Sequence, residues 1–362
     1  MTPLFEVKAI DRDFYQQRLQ GFLPGKLLDI HTHVWLDQFQ SREKEEAPRA
    51  VTWPQRVAVD NSIEDLQETY GLMFPAQTVT PLIFGMALSR QDDLDGGNEY
   101  VRQRALKHQV PALIFADPKW SAAELEERIT AGHFLGAKVY LTRSDPQIAG
   151  SDIQIYDFLP PHQLQVLHKH GWIAMLHIPR PGRLRDPLNL RQMVEIEQRY
   201  PSAQVIIAHV GRAYCPEDVG NAFEVLAETR KMRFDISANT STENFEHLIR
   251  AVGPRRILFG SDLPITRMRM RRVCEQGRYV NVVPKGLYGD VAGDPHMREA
   301  HGEEATQLTF FMYEEIDAFR RAALKTGLSS DDIQDVFYRN GAEMLGEAGM
   351  PESCLHGERE IP

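Results

Sequence analysis

Short apolar, β-branched runs alternate with amphipathic stretches along most of this chain, and that alternation restricts the fold more than any other feature. The runs occupy residues 27–31, 80–86, 111–116, 137–141, 173–177, 205–208, 233–236 and 257–259. The stretches between them occupy 62–70, 99–108, 121–131, 161–170, 188–200, 217–231 and 243–252. Apolar runs of this length bounded by loop residues read as buried strands, and regular alternation with helices predicts a parallel sheet. Ser62, Ser121 and Thr242 stand where helix N-caps belong, each with a carboxylate or amide in the following turn. Eight strands are the number that a closed (β/α)8 barrel requires.

The expected fold is therefore α/β, a (β/α)8 TIM barrel, and the 362 residues suit one such domain. Its core is placed at about 27–346, with a polar tail over 347–362. Three connections exceed the usual few residues: 34–61, 143–159 and 263–301. They read as insertions after strands 1, 4 and 8, the first carrying the charged run Arg42-Glu43-Lys44-Glu45-Glu46. All leave from carboxyl ends of strands, where barrels build their sites. Two more helical stretches, 303–326 and 330–345, follow the last insertion and are the expected contact of a homodimer.

The strands end in residues that carry chemistry. His31 and His33 lie two apart on the first strand, so their side chains share a face, and paired imidazoles suit a divalent metal. Trp172-Ile173-Ala174-Met175-Leu176 leads into His177, Val205-Ile206-Ile207-Ala208 into His209, and Ile257-Leu258-Phe259-Gly260-Ser261 into Asp262. Loop residues Pro179, Gly211 and Pro264 follow closely. One histidine at a strand end is usually a satisfied core or loop group. A structural histidine has no reason to choose the carboxyl end of a strand repeatedly, so the set points to a site.

Composition excludes several other roles. A net charge of -10 gives nonspecific nucleic-acid binding no electrostatic support. No apolar run approaches bilayer-spanning length, and Met1 to Gly25 holds no continuous apolar segment of the signal-peptide kind. Cys215, Cys274 and Cys354 are too widely spaced for a thiolate zinc cage. Their odd number, without an export signal, predicts a reducing, cytoplasmic setting with Cys215 as a small buried thiol.

With these residues the chain resembles the amidohydrolase superfamily, and within it the amidohydrolase-2 branch. That branch includes carboxymuconate-semialdehyde decarboxylase-like enzymes, resorcylate decarboxylases and sugar or pyrone lactonases. The matching motifs are Asp29-Ile30-His31-Thr32-His33, His177, His209-Val210-Gly211 and Phe259-Gly260-Ser261-Asp262-Leu263-Pro264, with a closing helix over 332–342. The resemblance implies that His31, His33, His177 and Asp262 bind a divalent metal, Zn2+ first and Mn2+ as the alternative. It implies that His209 either polarises the substrate or ligates a second ion. A bound ion of this class lowers the pKa of water from about 15.7 to about 7, and Asp262 is placed to relay the proton.

Lys138, in Gly136-Ala137-Lys138-Val139-Tyr140-Leu141, resembles the strand-four lysine that dihydroorotase-like and phosphotriesterase-like members carboxylate to bridge two metals. In that form His177 and His209 hold the second ion. Otherwise Lys138 is a free ammonium for an anionic substrate, or the partner of a buried acid. The branch more often uses one metal, so one ion is expected.

Lys138, Arg143, Arg180, Arg183, Arg212 and Arg267 gather near the proposed mouth, which favours a small carboxylate-bearing substrate over the alternative of ion pairs with loop acids. Lys138, Tyr140, Arg212 and Arg267 are the substrate-binding candidates, and the run Arg267-Met268-Arg269-Met270-Arg271-Arg272 reads as a lid or subunit contact. Trp35 and Trp53 are expected to anchor the first insertion. The leading reaction is metal-dependent hydrolysis of a lactone, amide or ester through an activated water. The alternative is nonoxidative decarboxylation of a small aromatic or unsaturated acid, with Asp262 or His209 protonating carbon. A barrel that only binds a metabolite predicts a missing ligand, and none is missing.

Overall fold

Strands β1 (Lys26–His33), β2 (Thr78–Phe84), β3 (Ile114–Phe115), β4 (Gly136–Val139), β5 (Ile173–Leu176), β6 (Gln204–Ile207), β7 (Arg233–Asp235) and β8 (Ile257–Leu258) form the centre of the molecule. A computed structural model of the chain describes residues 3–42, 56–86 and 89–351. β1 pairs with β2, and β3 through β8 pair in sequence order, all parallel. Two seams close the circle. Leu113 N donates to Ile83 O at 3.0 Å between β2 and β3, while Ile30 N donates to Phe259 O at 3.1 Å between β1 and β8. The expected (β/α)8 barrel is the observed fold.

Side-chain alternation explains the closure. Ile83, Val139, Leu176, Val205, Ile207 and Phe234 face outward into the layer shared with the helices. Their neighbours Leu82, Phe84, Ile173, Met175, Ile206 and Leu258 form a separate core inside the barrel. The surrounding helices are Ile63–Met73, Leu94–His108, Ala122–Gly132, Pro161–His170, Pro187–Arg199, Ala222–Ala227, Thr242–Val252 and Phe311–Thr326. The last packs on its predecessor, with Phe245 and Phe319 rings 5.6 Å apart, so its apolar face belongs to the barrel. Ser62 and Ser121 cap as expected, accepting from Asp65 N and Glu124 N at 3.0 and 3.2 Å. The third cap is Ser241, one residue before the expected Thr242, because its hydroxyl is the one that reaches Asn244 N.

The amino end of the barrel is plugged by the helix Asn340–Glu347, whose Met344 and Leu345 join the inner core. Gly341 permits this approach: a Cβ there would stand 2.7 Å from Leu28 Cδ2.

After β8 the chain builds a three-stranded sheet of β9 (Arg271–Glu275), β10 (Arg278–Val283) and β11 (Met297–Glu299). β9 and β10 form a hairpin across Gln276 and Gly277, both with positive φ, the geometry of a tight two-residue turn. The run Arg267-Met268-Arg269-Met270-Arg271-Arg272 is expected from its composition to form a lid or subunit contact. Arg269 instead faces inward and binds Asp11, with Nη1 to Oδ1 at 2.8 Å, pinning the helix Ala9–Phe14. In the first insertion, Trp35 donates through Nε1 to Val59 O at 2.8 Å, an anchoring contact. Trp53, residues 43–46 of the charged run and Cys354 lie outside the described residues.

One expectation is corrected. Cys215 is not a free thiol: it forms a disulfide with Cys274, 59 residues away in sequence. The hairpin folds back on the loop after β6 and brings the two Cα atoms to 5.8 Å, within disulfide range. The cysteine count therefore no longer speaks for a reducing compartment. No helix among the described residues is long and apolar enough to cross a membrane.

Helix Phe311–Thr326 also carries the fully buried Glu315, whose Oε2 accepts from Ala238 N at 2.7 Å. Its Oε1 has no partner among the described residues, and burial pushes its pKa well above the usual carboxylate range. The folded chain thus holds this proton more tightly than the unfolded chain. The associated stability is full in acid and is lost as pH rises beyond the ordinary glutamate range. Glu315→Gln removes the titration, so its melting temperature relative to the parent should climb between pH 5 and pH 8. A difference independent of pH in thermal melts would place the proton elsewhere.

Candidate metal centre

β1 changes phase as it reaches the carboxyl mouth of the barrel. Its register with β2 shifts between Asp29 and Thr32, so Leu28 and Ile30 join the inner core while His31 and His33 also point inward above them. Asp29 holds this bulge: its carboxylate accepts from Ser261 N at 2.8 Å, Tyr70 OH at 2.8 Å and His31 N at 3.2 Å.

The two histidines are oriented through their outer nitrogens. His31 Nδ1 donates to Asp235 Oδ2 at 2.9 Å, and His33 Nδ1 donates to Gly85 O at 3.1 Å. With each Nδ1 carrying the proton, each Nε2 presents a lone pair. Both face the same atom, Asp262 Oδ1, at 3.5 Å from His31 Nε2 and 3.2 Å from His33 Nε2. Two imidazole lone pairs and a carboxylate oxygen converge, and their ligand atoms lie within 4.8 Å of one another in a buried site. A divalent cation would resolve that convergence, and the donor set of two imidazoles and one carboxylate fits a zinc-class ion or manganese. Burial, followed by the charge of Lys138, keeps His31 well below its usual pKa and therefore neutral. Burial would raise Asp262, but the imidazoles facing it bring it down to about 2.

Asp235 is the orienting hub that sequence reasoning missed. Besides His31, it accepts from His209 N at 2.8 Å, Ser237 N at 3.1 Å and Ser237 Oγ at 2.5 Å. Because Ser237 gives its proton to Asp235, His209 Nδ1 donates to Ser237, with Oγ at 2.9 Å and the carbonyl at 3.1 Å. His209 Nε2 is left with a lone pair, and its ring lies 4.9 Å from that of His31. His31, His209 and Asp235 also share ligand spacing, but the oxygens of Asp235 are occupied as acceptors. The signal for Asp235 was its place at the end of the seventh strand, obscured because the apolar run continues to Ile236. His209 and Asp262 both adopt left-handed backbone, with φ of 57° and 59°, a geometry uncommon outside glycine and concentrated at functional sites.

His177 stands beside this group and outside both ligand sets, its ring 5.3 Å from that of His209. Its buried Nδ1 has no partner among the described residues. Lys138, on the inner face of β4, donates to His31 Nε2 at 3.3 Å and lies 5.0 Å from the Phe84 ring centre. It has no carboxylate within 4.0 Å among the described residues, and burial lowers its pKa to about 8. The Tyr140 ring packs edge-on to His177 at 4.8 Å.

The arginines divide differently from expectation. Arg212 donates to the carbonyls of Ile178, Pro179 and Arg180 at 3.3, 3.1 and 3.3 Å, tying the loop after β6 to the loop after β5 beside the site. Arg143, Arg180 and Arg183 are paired with Asp117, Asp186 and Asp218. Arg267 is not brought to the cluster. The turn Ile265–Arg267 carries it toward helix Ile63–Met73, where it donates to Val57 O at 3.2 Å and covers the Phe5 ring.

Solved structures share this architecture. A probable 2-pyrone-4,6-dicarboxylic acid hydrolase from Acinetobacter baumannii, with citric acid bound, superposes at a TM-score of 0.53 with 15% identity, covering 88% of this chain and 99% of that one. A 2,6-dihydroxybenzoate decarboxylase from Rhizobium gives 0.54 and 15%, covering 90% and 100%. A dihydroxybenzoic acid decarboxylase from a Polaromonas species, with bound manganese and 2-nitroresorcinol, gives 0.52 and 14%, covering 89% and 97%. At these identities the likeness is one of fold. No curated protein sequence matches significantly. The Amidohydrolase family, whose members are metal-dependent enzymes, matches residues 28–346, and this chain belongs to it.

Proposed function

We propose that the protein is a metal-dependent hydrolase that opens a lactone, amide or ester of a small carboxylated molecule. The observation that carries this reading is the division of labour at Asp262. Its Oδ1 faces both imidazole lone pairs, while its Oδ2 takes no hydrogen bond among the described residues. His31, His33 and Asp262 would hold a divalent ion, which would supply Lewis-acid polarisation of an oxygen and bring the pKa of a water to about 7. Asp262 Oδ2 accepts the proton of the attacking water and delivers it to the leaving group. His209, fixed through Nδ1, aims its remaining lone pair into the same space and keeps the substrate oxygen or a second ion in place. Lys138 supplies positive charge beside His31 for an anionic group.

Decarboxylation is the second reading, supported by Lys138. A buried ammonium with its pKa at about 8, held on the inner face of β4 beside His31, is a competent proton donor at neutral pH. Purified protein should carry about one equivalent of zinc or manganese, and chelation should abolish turnover. Incubation with 2-pyrone-4,6-dicarboxylate should release acid without carbon dioxide. Carbon dioxide from 2,6-dihydroxybenzoate, with the lactone untouched, would transfer the assignment to the second reading. An intact mass bearing one carboxyl adduct, with two metal equivalents, would assign Lys138 as a bridging ligand.

A further inference from the structure

Four cationic side chains are buried among the described residues: Lys138, Arg143, Arg269 and Arg272. Arg143 and Arg269 are neutralised by Asp117 and Asp11. Lys138 and Arg272 have no carboxylate within 4.0 Å among the described residues, and Lys138 belongs to the centre already described. Arg272 is the unexplained one.

Arg272 sits on β9, and its guanidinium reaches toward the metal centre. Its Nη1 donates to Ala238 O, and Ala238 directly follows Ser237, the hydrogen-bond partner of His209. Its Nε donates to Asn281 Oδ1 at 2.9 Å on the adjoining strand. The guanidinium carbon lies 4.4 Å from the Tyr214 ring centre and 4.6 Å from those of Tyr279 and Phe311. Two of the five N–H groups of the guanidinium are thus committed, leaving Nη2 and one hydrogen of Nη1 without acceptors among the described residues. Arg183, stacked nearby on Tyr279, is itself answered by both oxygens of Asp218 at 2.7 Å. The carboxylate whose charge does bear on Arg272 is Asp262.

Aromatic faces attract a guanidinium, yet a buried cation with open donors and no counter-ion still costs stability. Such a charge is retained where an anion arrives to meet it. A planar fork with two adjacent nitrogens available matches a carboxylate in bidentate fashion. Tyr214, whose ring the guanidinium covers, makes no hydrogen bond through its hydroxyl among the described residues. The disulfide holds the box together, since Tyr214 precedes Cys215 and Arg272 stands two residues before Cys274.

We propose that Arg272 is the anchor for a substrate carboxylate, delivered to the metal centre by the β9–β10 hairpin and boxed by Tyr214, Tyr279 and Phe311. The inference rests on the hydrolase-site reading above, because the anchored molecule must present its reacting carbon to His209 and Asp262.

The test uses isophthalate, an unreactive planar dicarboxylate, with isophthalamide as the uncharged control, titrated calorimetrically into metal-loaded protein. The parent should bind isophthalate and not the amide. Arg272→Met, which fills the box with an apolar chain, should lose about tenfold or more in affinity. Its metal content should be unchanged and its melting temperature no lower than the parent's. Arg272→Lys keeps the charge without the fork and should bind between the two; it also serves as the readable variant if Arg272→Met fails to fold. Isophthalate affinity equal to the parent's in either variant overturns the proposal, as does a metal-loaded parent that does not bind isophthalate. A parent that takes up no metal fails the hydrolase-site reading first, and the proposal with it.

Discussion

Asp262→Ala should leave the chain without bound metal and should reduce turnover by more than the ~10–100-fold that loss of an outer-sphere partner typically costs. The reason is geometric. Asp262 Oδ1 is the one carboxylate oxygen that His31 Nε2 and His33 Nε2 share, and no other acid among the described residues faces both. Without it two imidazoles remain, and Oδ2 disappears together with Oδ1. The loss is separable from misfolding by linkage. Metal at about 100 times its dissociation constant stabilises a protein that binds it by ~2.7 kcal/mol. Parent protein should therefore melt higher with zinc or manganese than after chelation, whereas Asp262→Ala should melt at one temperature in both conditions. A variant whose melting temperature still responds to metal, with metal detected by elemental analysis, would remove Asp262 from the ligand set.

The parts of this centre that could be read from the sequence are those in which a buried strand stops at a polar residue. His31, His33, His209 and Asp262 each follow an apolar run whose inner-facing members are fully buried, and barrel closure carries those ends to one mouth. The unread parts depend on contacts made across the fold. Asp235 is identifiable as a hub only once its oxygens meet His31, His209 and Ser237. Glu315 lies in a helix that reads as an ordinary amphipathic element until its carboxyl is found against Ala238 N. The run 267–272 shows the limit most clearly. Its arginines alternate with methionines, and the turn after Asp262 decides which of them faces inward. Arg267 swings to Thr69, Arg269 to Asp11 and Arg272 to Ala238, three destinations that spacing alone does not separate. The hairpin had a local signal in Gln276-Gly277, but charged residues at 271, 272, 275 and 278 mask the apolar alternation of its strands.

Gly260→Ala should cost both stability and metal affinity, although residue 260 touches no metal. It lies two residues past the end of β8, between Leu258 and Asp262, and an added Cβ would stand 2.8 Å from His31 Cβ and 3.4 Å from Asp235 Cβ. His31 cannot yield easily, since its ring is held by Asp235 and its backbone N by Asp29. Relief requires either parting β1 from β8, where Asp262 N donates to His31 O at 2.8 Å, or turning the imidazole away from Asp262. Overpacking of this kind costs ~1–3 kcal/mol, which lowers the melting temperature by a few degrees in a chain of this size. Displacing His31 Nε2 should also weaken metal binding by about tenfold or more, because a ligand moved by ~1 Å no longer completes the set. Gly341→Ala supplies the contrast. Its Cβ would meet Leu28 Cδ2 at 2.7 Å at the amino end of the same barrel, far from the ligands, so it should lower the melting temperature while leaving metal affinity intact. Metal dissociation constants from chelator competition on the two variants therefore test whether the glycine in Phe259-Gly260-Ser261-Asp262 serves the site or only the packing. Parent-like affinity in Gly260→Ala would confine its role to packing.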